Sequence, residues 1–203
     1  MKKRHINILQ YGRSMVEMLG VLAIVGILSI GGIAGYSTAM NKHKNNKIID
    51  QTYSIISNIH NLKMKKGNVK GLTTETAIKL KVVPEELIRS DNKTLQHAYQ
   101  GAIEISVKEE DGKKPRNYLV SLKSLPKQAC IDLASKDWNS KKNAIIVSKN
   151  NSINIDKLDE TDDKECTSDT SLTICYNKQM PMTEVSKACD CSTNTCAIAI
   201  WSF

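Results

Sequence analysis

The chain begins with a long uncharged stretch whose pattern differs from that of everything after it. The segment Met18–Met40 holds 23 residues, none of them charged. As an α-helix rising 1.5 Å per residue it would be about 34 Å long, enough to cross a hydrocarbon layer of about 30 Å. No proline precedes Pro84, so no residue of this type interrupts such a helix. The pattern therefore predicts a membrane-spanning helix near the N-terminus.

Beyond Met40 the pattern becomes amphipathic. Apolar residues recur at steps of three and four, which predicts a helix with one buried face. Lysines before Gly67 suit a helix C-terminus, where the carbonyl groups carry partial negative charge, and glycine is common just past a helix end. We expect this helix to form the spine of a folded head. The stripe consists of Ile48, Thr52, Ile55, Ile59 and Leu62, with Ile49, Tyr53 and Ile56 beside it.

The residues from 68 onward are numerous enough to form a core of their own. Alternating apolar and polar positions predict strands, and longer periodic stretches predict short helices. The fold class is therefore α+β: a long N-terminal helix packed on an antiparallel sheet, as a roll. The strands are predicted at 102–107, 118–122, 144–147 and 197–201, the helices at 73–83 and 126–136, and a turn at Asp111-Gly112.

Glu17 stands at the head of the uncharged stretch. A carboxylate at a membrane centre costs about 2.5–3.5 kcal/mol, so such a group is normally paired or functional. Arg13, one helical turn earlier, could pair with it, and a boundary position at the lipid headgroups explains it equally well. A secretory signal peptide cleaved near Ala34 or Ala39 is a competing interpretation. The apolar run is too long for one, and signal peptides carry only positive charge at that end.

A short motif precedes the apolar stretch: GRSMVEML at residues 12–19, followed by GVLAIVGILSIGG. This resembles the N-terminus of a type IV prepilin, more like the type IVb branch. The resemblance implies cleavage between Gly12 and Arg13 by a prepilin peptidase, which also N-methylates Arg13. Residues 82–88, 95–105 and 125–134 resemble the head of that family more loosely.

The resemblance also implies a role for Glu17 in assembly. In that family the carboxylate pairs with the mature N-terminal amine, here on Arg13, of a neighbouring subunit and sets the axial register. Pairing is favourable because an isolated carboxylate and an isolated amine are both costly in a low dielectric. The family usually has a bulky apolar residue at this first mature position, so Arg13 is a departure. Its guanidinium could compete for Glu17 from within the same helix.

On this interpretation the chain has four parts. They are a leader at 1–12, a transmembrane and filament-core helix at 13–40, its amphipathic half at 41–67, and a globular pilin head at 68–203. Glycines in the filament-core part are interpreted as packing sites and as places where the helix can stretch, and an ordinary glycine-rich membrane helix explains them nearly as well.

The implied function is that of a structural subunit of a type IVb-like pilus, without enzymatic activity. The implied partners are identical or related pilin subunits, the prepilin peptidase, an assembly platform with its ATPase, and the membrane. The subunit would reside in the bacterial inner membrane as a single-pass protein before it joins an extracellular pilus. The alternatives are a pseudopilin of a type II secretion system, a minor pilin, or a non-polymerising, membrane-anchored cysteine-rich binding domain.

All six cysteines lie between residues 130 and 196, about one third of the chain, which favours disulfides and an oxidising compartment. Six cysteines allow fifteen pairings, and spacing does not choose among them. The resemblance implies one bond from Cys130 to the C-terminal region, with Cys196 as the preferred partner and Cys189 as the second choice. The remaining four would cross-link the polar stretch 160–195. The six are Cys130, Cys166, Cys175, Cys189, Cys191 and Cys196.

Other chemistry is weakly indicated. The last three cysteines are spaced like a thiolate cluster, but not at the usual zinc spacing, so we expect no metal and no cofactor. Acids at 159–163 lack the spacing of a calcium loop. The histidines His43, His60 and His97 have no neighbouring nucleophile pattern and are interpreted as surface or partly buried residues.

The chain carries 29 Lys+Arg and 21 Asp+Glu, a formal charge of +8. With 40% hydrophobic and 25% charged residues it falls in the range of globular proteins, which excludes wholesale disorder. Nucleic-acid binding is not expected, because the basic positions of the head have no aromatic residues among them. Those positions are Lys113, Lys114, Arg116, Lys141 and Lys142.

Overall fold

The structure, a computed structural model, describes a chain that divides into two compact units, Met1–His43 and Lys44–Phe203. Helix α1, Leu9–Lys66, contributes to both units. It begins inside the segment predicted as the leader, before the predicted start at Arg13. The turn predicted at Asp111-Gly112 lies outside the described residues. These are 9–108, 115, 117–138, 143–153, 166–169, 171–176, 179–191 and 195–202.

The end of α1 confirms the predicted C-cap. Gly67 follows the helix with φ of +75° and donates its N–H to the Lys63 carbonyl at 2.7 Å. This left-handed conformation costs a residue with a side chain about 1–2 kcal/mol, which explains why glycine stands here. Lys63, Lys65 and Lys66 occupy the last turn.

The predicted apolar stripe of α1 is buried within the second unit. Ile48, Thr52, Ile55 and Ile59 are at most 1% exposed. Tyr53, beside the stripe, remains 48% exposed. The 3.6-residue period therefore identified the face that packs on the head.

In the described part of the head, seven strands form one sheet in the order β1-β2-β3-β7-β4-β6-β5, with every neighbouring pair antiparallel. The strands are β1 Leu95–Gln96, β2 Ala102–Val107, β3 Tyr118–Pro126, β4 Asn143–Ser148, β5 Cys166–Ser168, β6 Leu172–Tyr176 and β7 Thr195–Ser202. Four strands are confirmed near their predicted positions, and β1, β5 and β6 were not predicted.

The other helical segments are short. They are α2 Thr74–Lys79, a 3₁₀ turn Glu85–Leu87, α3 Lys127–Ala134 and α4 Met182–Ala188. The predicted helices at 73–83 and 126–136 correspond to α2 and α3. The helix α2 begins after Thr73, whose hydroxyl oxygen accepts the backbone N–H of Thr76 at 3.2 Å. The helix α4 was not predicted, because it lies in the polar stretch 160–195.

The last strand, β7, contributes side chains to an apolar cluster on each face of the sheet. From Cys196 to Trp201 the side chains of β7 are at most 1% exposed, and they alternate between two apolar clusters. Ile198 and Ile200 belong to the cluster that includes the buried stripe of α1. Ala199 and Trp201 belong to a second cluster, which contains residues of β3, β4 and β6.

A buried tyrosine joins the sheet to α1 within the second unit. Tyr118 of β3 is fully buried, and its hydroxyl donates to the Ile56 carbonyl of α1 at 2.9 Å. Burial raises the pKa of Tyr118 to about 12. The phenol therefore stays a hydrogen-bond donor over the physiological pH range.

Candidate assembly helix and the polar contacts of the head

The first unit presents an apolar helix surface that is exposed among the described residues. Its large apolar side chains, from Met15 to Tyr36, are between 52% and 73% exposed. By length and composition α1 contains a segment that could cross a membrane. Soluble monomers rarely expose a continuous apolar surface of this kind, so a membrane or another protein must cover it.

Two hydroxyl side chains within this surface find hydrogen-bond partners in the helix itself. The hydroxyl of Ser29 donates to the Val25 carbonyl at 2.7 Å, and that of Thr38 donates to the Ala34 carbonyl at 3.1 Å. Bonding to the carbonyl one turn earlier spares each hydroxyl the cost of an unmet hydrogen bond in an apolar medium. Both side chains are therefore compatible with burial in lipid or in a filament core.

Glycines leave open notches along the same helix. Apart from the adjoining backbone of α1 itself, a Cβ placed on any of the five would meet no described atom within 4 Å. Small residues allow helices to approach closely, so each notch can receive a side chain or backbone from a neighbouring helix. The five are Gly20, Gly26, Gly31, Gly32 and Gly35.

The predicted processing and assembly residues all lie on α1. Gly12, Arg13 and Glu17 belong to the helix, and the Glu17 side chain is exposed. Positions 13 and 17 are one helical turn apart on the backbone, which is the spacing for an intrahelical pair. Cleavage after Gly12, methylation of Arg13 and the register role of Glu17 stay predictions.

All six cysteines are paired in three disulfides, so none is free. Cys130 of α3 is bonded to Cys189, with their Cα atoms 5.8 Å apart. The preferred partner Cys196 was the wrong choice, and the second choice, Cys189, is the one observed. Cys196 instead pairs with Cys191. The third bond, Cys166–Cys175, cross-links β5 to β6.

The unpredicted helix α4 explains why Cys189 is the partner of Cys130. Cys189 caps the C-terminus of α4, and its N–H bonds back to the Val185 carbonyl at 2.9 Å. The end of α4 lies beside α3, where Lys127 also pairs with Asp190 at 2.8 Å.

Sulfurs in disulfides cannot act as thiolate ligands, so the three C-terminal cysteines do not form the alternative metal site. Among the described residues no group of three or more His, Cys, Asp or Glu could hold a metal ion.

A polar cluster that the sequence did not indicate joins α1, α3 and the loop between β1 and β2. The hydroxyl of Tyr99 donates to Asn45 Oδ1 at 2.7 Å, and Asn45 Nδ2 donates to Asp132 of α3. Asn45, on α1, is only 3% exposed. Lys44 Nζ lies 5.4 Å from the centre of the Tyr99 ring. Burial, and then the charge of Asp132, raise the pKa of Tyr99. These residues are far apart along the chain, so no local motif could reveal the cluster.

A second polar group lies beside it in an open cleft of about 410 Å³. Glu86 accepts a hydrogen bond from the Gln51 amide and pairs with Lys47 at 2.9 Å. The hydrogen bonds from Gln51 and then Lys47 lower the pKa of Glu86. The cleft is lined by Lys47, Gln51, Glu86, Leu87, Ile88, Arg89, Ser90, Gln96, His97 and Ala98.

The three histidines considered in the sequence, two on α1 and one in the head, differ in environment. His43 and His60 are exposed on α1, as interpreted from the sequence. His97 is only 3% exposed, so the interpretation as a surface or partly buried residue is wrong for it. It is held by two hydrogen bonds to the backbone, which a lone histidine in a polar loop does not predict.

Comparison with known proteins shows similarity to pilus subunits. The family model described as PilS N terminal matches residues 42–200. The protein described as "Major structural subunit of bundle-forming pilus" from Escherichia coli O127:H6 (strain E2348/69 / EPEC) is 25% identical over 124 residues. That match covers 61% of this chain and 63% of the relative. The protein of the same description from Escherichia coli O111:H- matches with the same values. The chain thus spans less than two thirds of the length of these relatives.

A solved structure described as "Crystal structure of type IV b pilin from Salmonella typhi" is also similar. The sequences are 12% identical, the TM-score is 0.49, and the match covers 76% of this chain and 96% of that chain. The family model begins at residue 42, after the apolar stretch has ended at Met40. The resemblance seen at residues 12–40 and the family match therefore come from separate parts of the chain.

Proposed function

We propose that this chain, which belongs to the PilS N-terminal family, is a structural subunit of a type IVb-like pilus. The subunit polymerises through its N-terminal helix. The observation that carries the proposal is the apolar helix surface of the first unit, which is exposed among the residues that the structure describes. A filament of copies covers such a surface helix against helix, as a membrane does before assembly. The curated relatives are described as major structural subunits, which supports the same role.

The glycine notches support helix packing as the mode of assembly. Each notch is open in the single chain, and a helix that stays with the mature protein can use it repeatedly along a filament. Contacts of this kind are heterologous, so they extend into an open polymer instead of closing into a ring.

The proposed processing follows from the N-terminal motif. A prepilin peptidase cleaves between Gly12 and Arg13 and methylates the new terminus. Glu17, exposed on α1, then pairs with the amine of a neighbouring subunit. Pairing would remove an unmatched carboxylate from the apolar filament core, where it costs about 2.5–3.5 kcal/mol by membrane insertion scales.

The proposed organisation and location follow the same scheme. The leader is 1–12, the filament-core helix 13–40, its amphipathic half 41–67 and the head 68–203. The subunit waits in the inner membrane as a single-pass protein and moves to an extracellular pilus, with an assembly platform and its ATPase as partners. The three disulfides suit an oxidising exterior. The chain acts as a building unit and catalyses no reaction.

Two experiments in the native cell test the proposal. The first is mass spectrometry of the mature N-terminus, with a chain starting at N-methylated Arg13 as the expected result. The second compares Glu17→Ala with Asp50→Ala, since each variant removes one exposed carboxylate from α1. Glu17→Ala should insert into the membrane normally and yield few filaments, whereas Asp50→Ala should yield filaments like the unmodified chain.

The contrary results are distinct. A mature chain starting near Tyr36 or Met40 would show ordinary signal-peptide cleavage, and the filament proposal would fail. A chain that retains Met1 and never polymerises would indicate a simple membrane anchor with a cysteine-rich domain. Equal filament yields from Glu17→Ala and Asp50→Ala would refute the register role of Glu17.

A further inference from the structure

His97 lies in a tight turn between β1 and β2, with both ring nitrogens engaged. Its Nε2 atom is 2.8 Å from the Lys123 carbonyl oxygen, and its Nδ1 atom is 3.2 Å from the backbone nitrogen of Tyr99. The turn is closed by backbone bonds, from His97 N–H to the Gly101 carbonyl at 3.0 Å and from Gln100 N–H to the His97 carbonyl at 2.8 Å. The side chain is thus folded back over its own turn and onto β3.

These contacts require one protonation state of the ring. A carbonyl oxygen can only accept, so Nε2 must carry the proton that bonds to Lys123. A backbone N–H can only donate, so Nδ1 must be the bare acceptor for Tyr99. Protonating the ring would place a second N–H against the N–H of Tyr99 and remove that hydrogen bond. The bond to Lys123 would survive.

We propose that His97 is an acid-sensitive latch, which holds the 97–101 turn closed when neutral and releases the Tyr99 backbone when it binds a proton. Tyr99 matters because its hydroxyl holds Asn45 of α1, and Asn45 in turn binds Asp132 of α3. Release of the Tyr99 backbone therefore loosens the polar cluster that joins the turn to two helices. This property is additional to the proposed pilus function and does not depend on it.

The surroundings of His97 favour its neutral form. Burial lowers the pKa of His97, and the hydrogen bond to the Lys123 carbonyl opposes that effect in part. The Lys123 ammonium is paired with Glu104 at 2.6 Å, and Glu86 is occupied by Gln51 and Lys47, so neither carboxylate is free to pair with an imidazolium. Lys44, Arg89 and Asp132 are further charged groups on the segments that surround the turn.

The sign of the pH effect follows from the direction of this shift. An opened turn exposes the ring, which then binds a proton near its ordinary pKa of about 6.5, while the closed turn resists protonation. The closed turn therefore has its full stability above that pH. Below it, the population of the open turn rises by up to about tenfold per pH unit, until the lowered pKa of the closed form is reached.

Amide hydrogen exchange by NMR, on the full chain in detergent micelles, tests the latch. The protection factor of the Tyr99 amide should fall by up to about fivefold between pH 6.5 and 5.5, while that of Ile200 in the central strand stays constant. In His97→Gln, which keeps a donor and an acceptor but does not titrate, the fall should vanish. In the matched control His60→Gln, an exposed histidine of α1, it should remain.

Three results would overturn the proposal. They are a Tyr99 protection factor that does not change with pH, a fall that persists in His97→Gln, and an equal fall at Ile200, which would mean global unfolding. The ring ¹⁵N shifts of His97 in the unmodified chain provide a test that needs no variant. The expected result is a neutral ring protonated at Nε2 at pH 7.5. A proton on Nδ1, or a ring still charged at that pH, would refute the latch.

Discussion

The three disulfides of the head close loops of very different length, which allows their contributions to stability to be ranked. Cys130–Cys189 spans 59 residues, Cys166–Cys175 spans 9 and Cys191–Cys196 spans 5. A cross-link reduces the conformational entropy of the unfolded chain, and the effect grows with the logarithm of the loop length. The longest loop should therefore carry the largest stabilisation.

The chain-entropy relation assigns magnitudes to this ranking. At 25 °C it yields about 4.2 kcal/mol for Cys130–Cys189, about 2.6 for Cys166–Cys175 and about 2.1 for Cys191–Cys196. Domains of this size are typically stable by about 5–15 kcal/mol, so losing the first bond would remove a large fraction of the total. Losing the third should leave the fold clearly intact.

The measurement is urea unfolding of the full chain in micelles, followed by fluorescence of Trp138 and Trp201, which are buried in the head. The double variant Cys130→Ala/Cys189→Ala is compared with the matched double variant Cys191→Ala/Cys196→Ala. Each removes two sulfurs and leaves no thiol to pair incorrectly. The expected difference in the free energy of unfolding between them is about 2 kcal/mol, with the first pair less stable.

A reversed order, or equal losses for the two double variants, would refute this reasoning. Either result would mean that local packing around the sulfurs, rather than the restriction of the unfolded chain, determines what each bond contributes. Cys130, Cys189 and Cys196 are fully buried, and Cys191 is partly buried. Loop length is therefore the largest difference between the two double variants, and the burial of Cys191 is a smaller one.

Two further predictions concern the loops of the head. Gly101→Ala should lower the free energy of unfolding by about 3 kcal/mol in the same urea assay, because a Cβ there would overlap the Lys123 carbonyl oxygen. In the control Gly67→Ala the new Cβ meets open space, so the free energy of unfolding should fall only by the cost of a left-handed backbone, about 1–2 kcal/mol. Equal losses in the two variants would contradict the steric argument. Hydrogen bonds from the Thr94 hydroxyl, and from the Lys93 and Thr94 backbone, lower the pKa of Asp91 to about 2, which an NMR titration of its carboxyl can measure. Thr94→Val should raise the pKa of Asp91, because it removes the hydroxyl hydrogen bond. The stability of the folded chain that is linked to the ionised Asp91 should be lost only as the pH falls below about 3.8 towards 2. An unchanged pKa in Thr94→Val would contradict the role given to the Thr94 hydroxyl.

Much of the fold could be predicted because its signals are local. The buried face of α1 follows from a 3.6-residue period, and its end at Lys66 follows from the glycine and lysines around it. Strands β2 and β7 follow from patterns that extend over only a few residues. In each case the residues that form the element also carry the information that specifies it.

The missed elements depended on contacts far along the chain. Strands β1 and β5 are two and three residues long, and each is a strand only because a neighbour pairs with it. The helix α4 lies in a polar stretch and is held against α3 by the Cys130–Cys189 bond. The wrong choice of Cys196 has the same origin, since α4 decides which sulfur reaches Cys130.

The long N-terminal helix, its uncharged stretch at 18–40 and the motif around Gly12 and Glu17 could be recognised from the sequence alone. These depend on composition and on spacing along one helix, where neighbours in sequence are neighbours in space. Only the tertiary structure decided the order of the strands, the three disulfide pairings and the engaged ring of His97. A hydrogen bond or a disulfide needs atoms within a few ångströms, and residues such as His97 and Lys123 are brought to that distance by the antiparallel sheet, not by their separation along the chain.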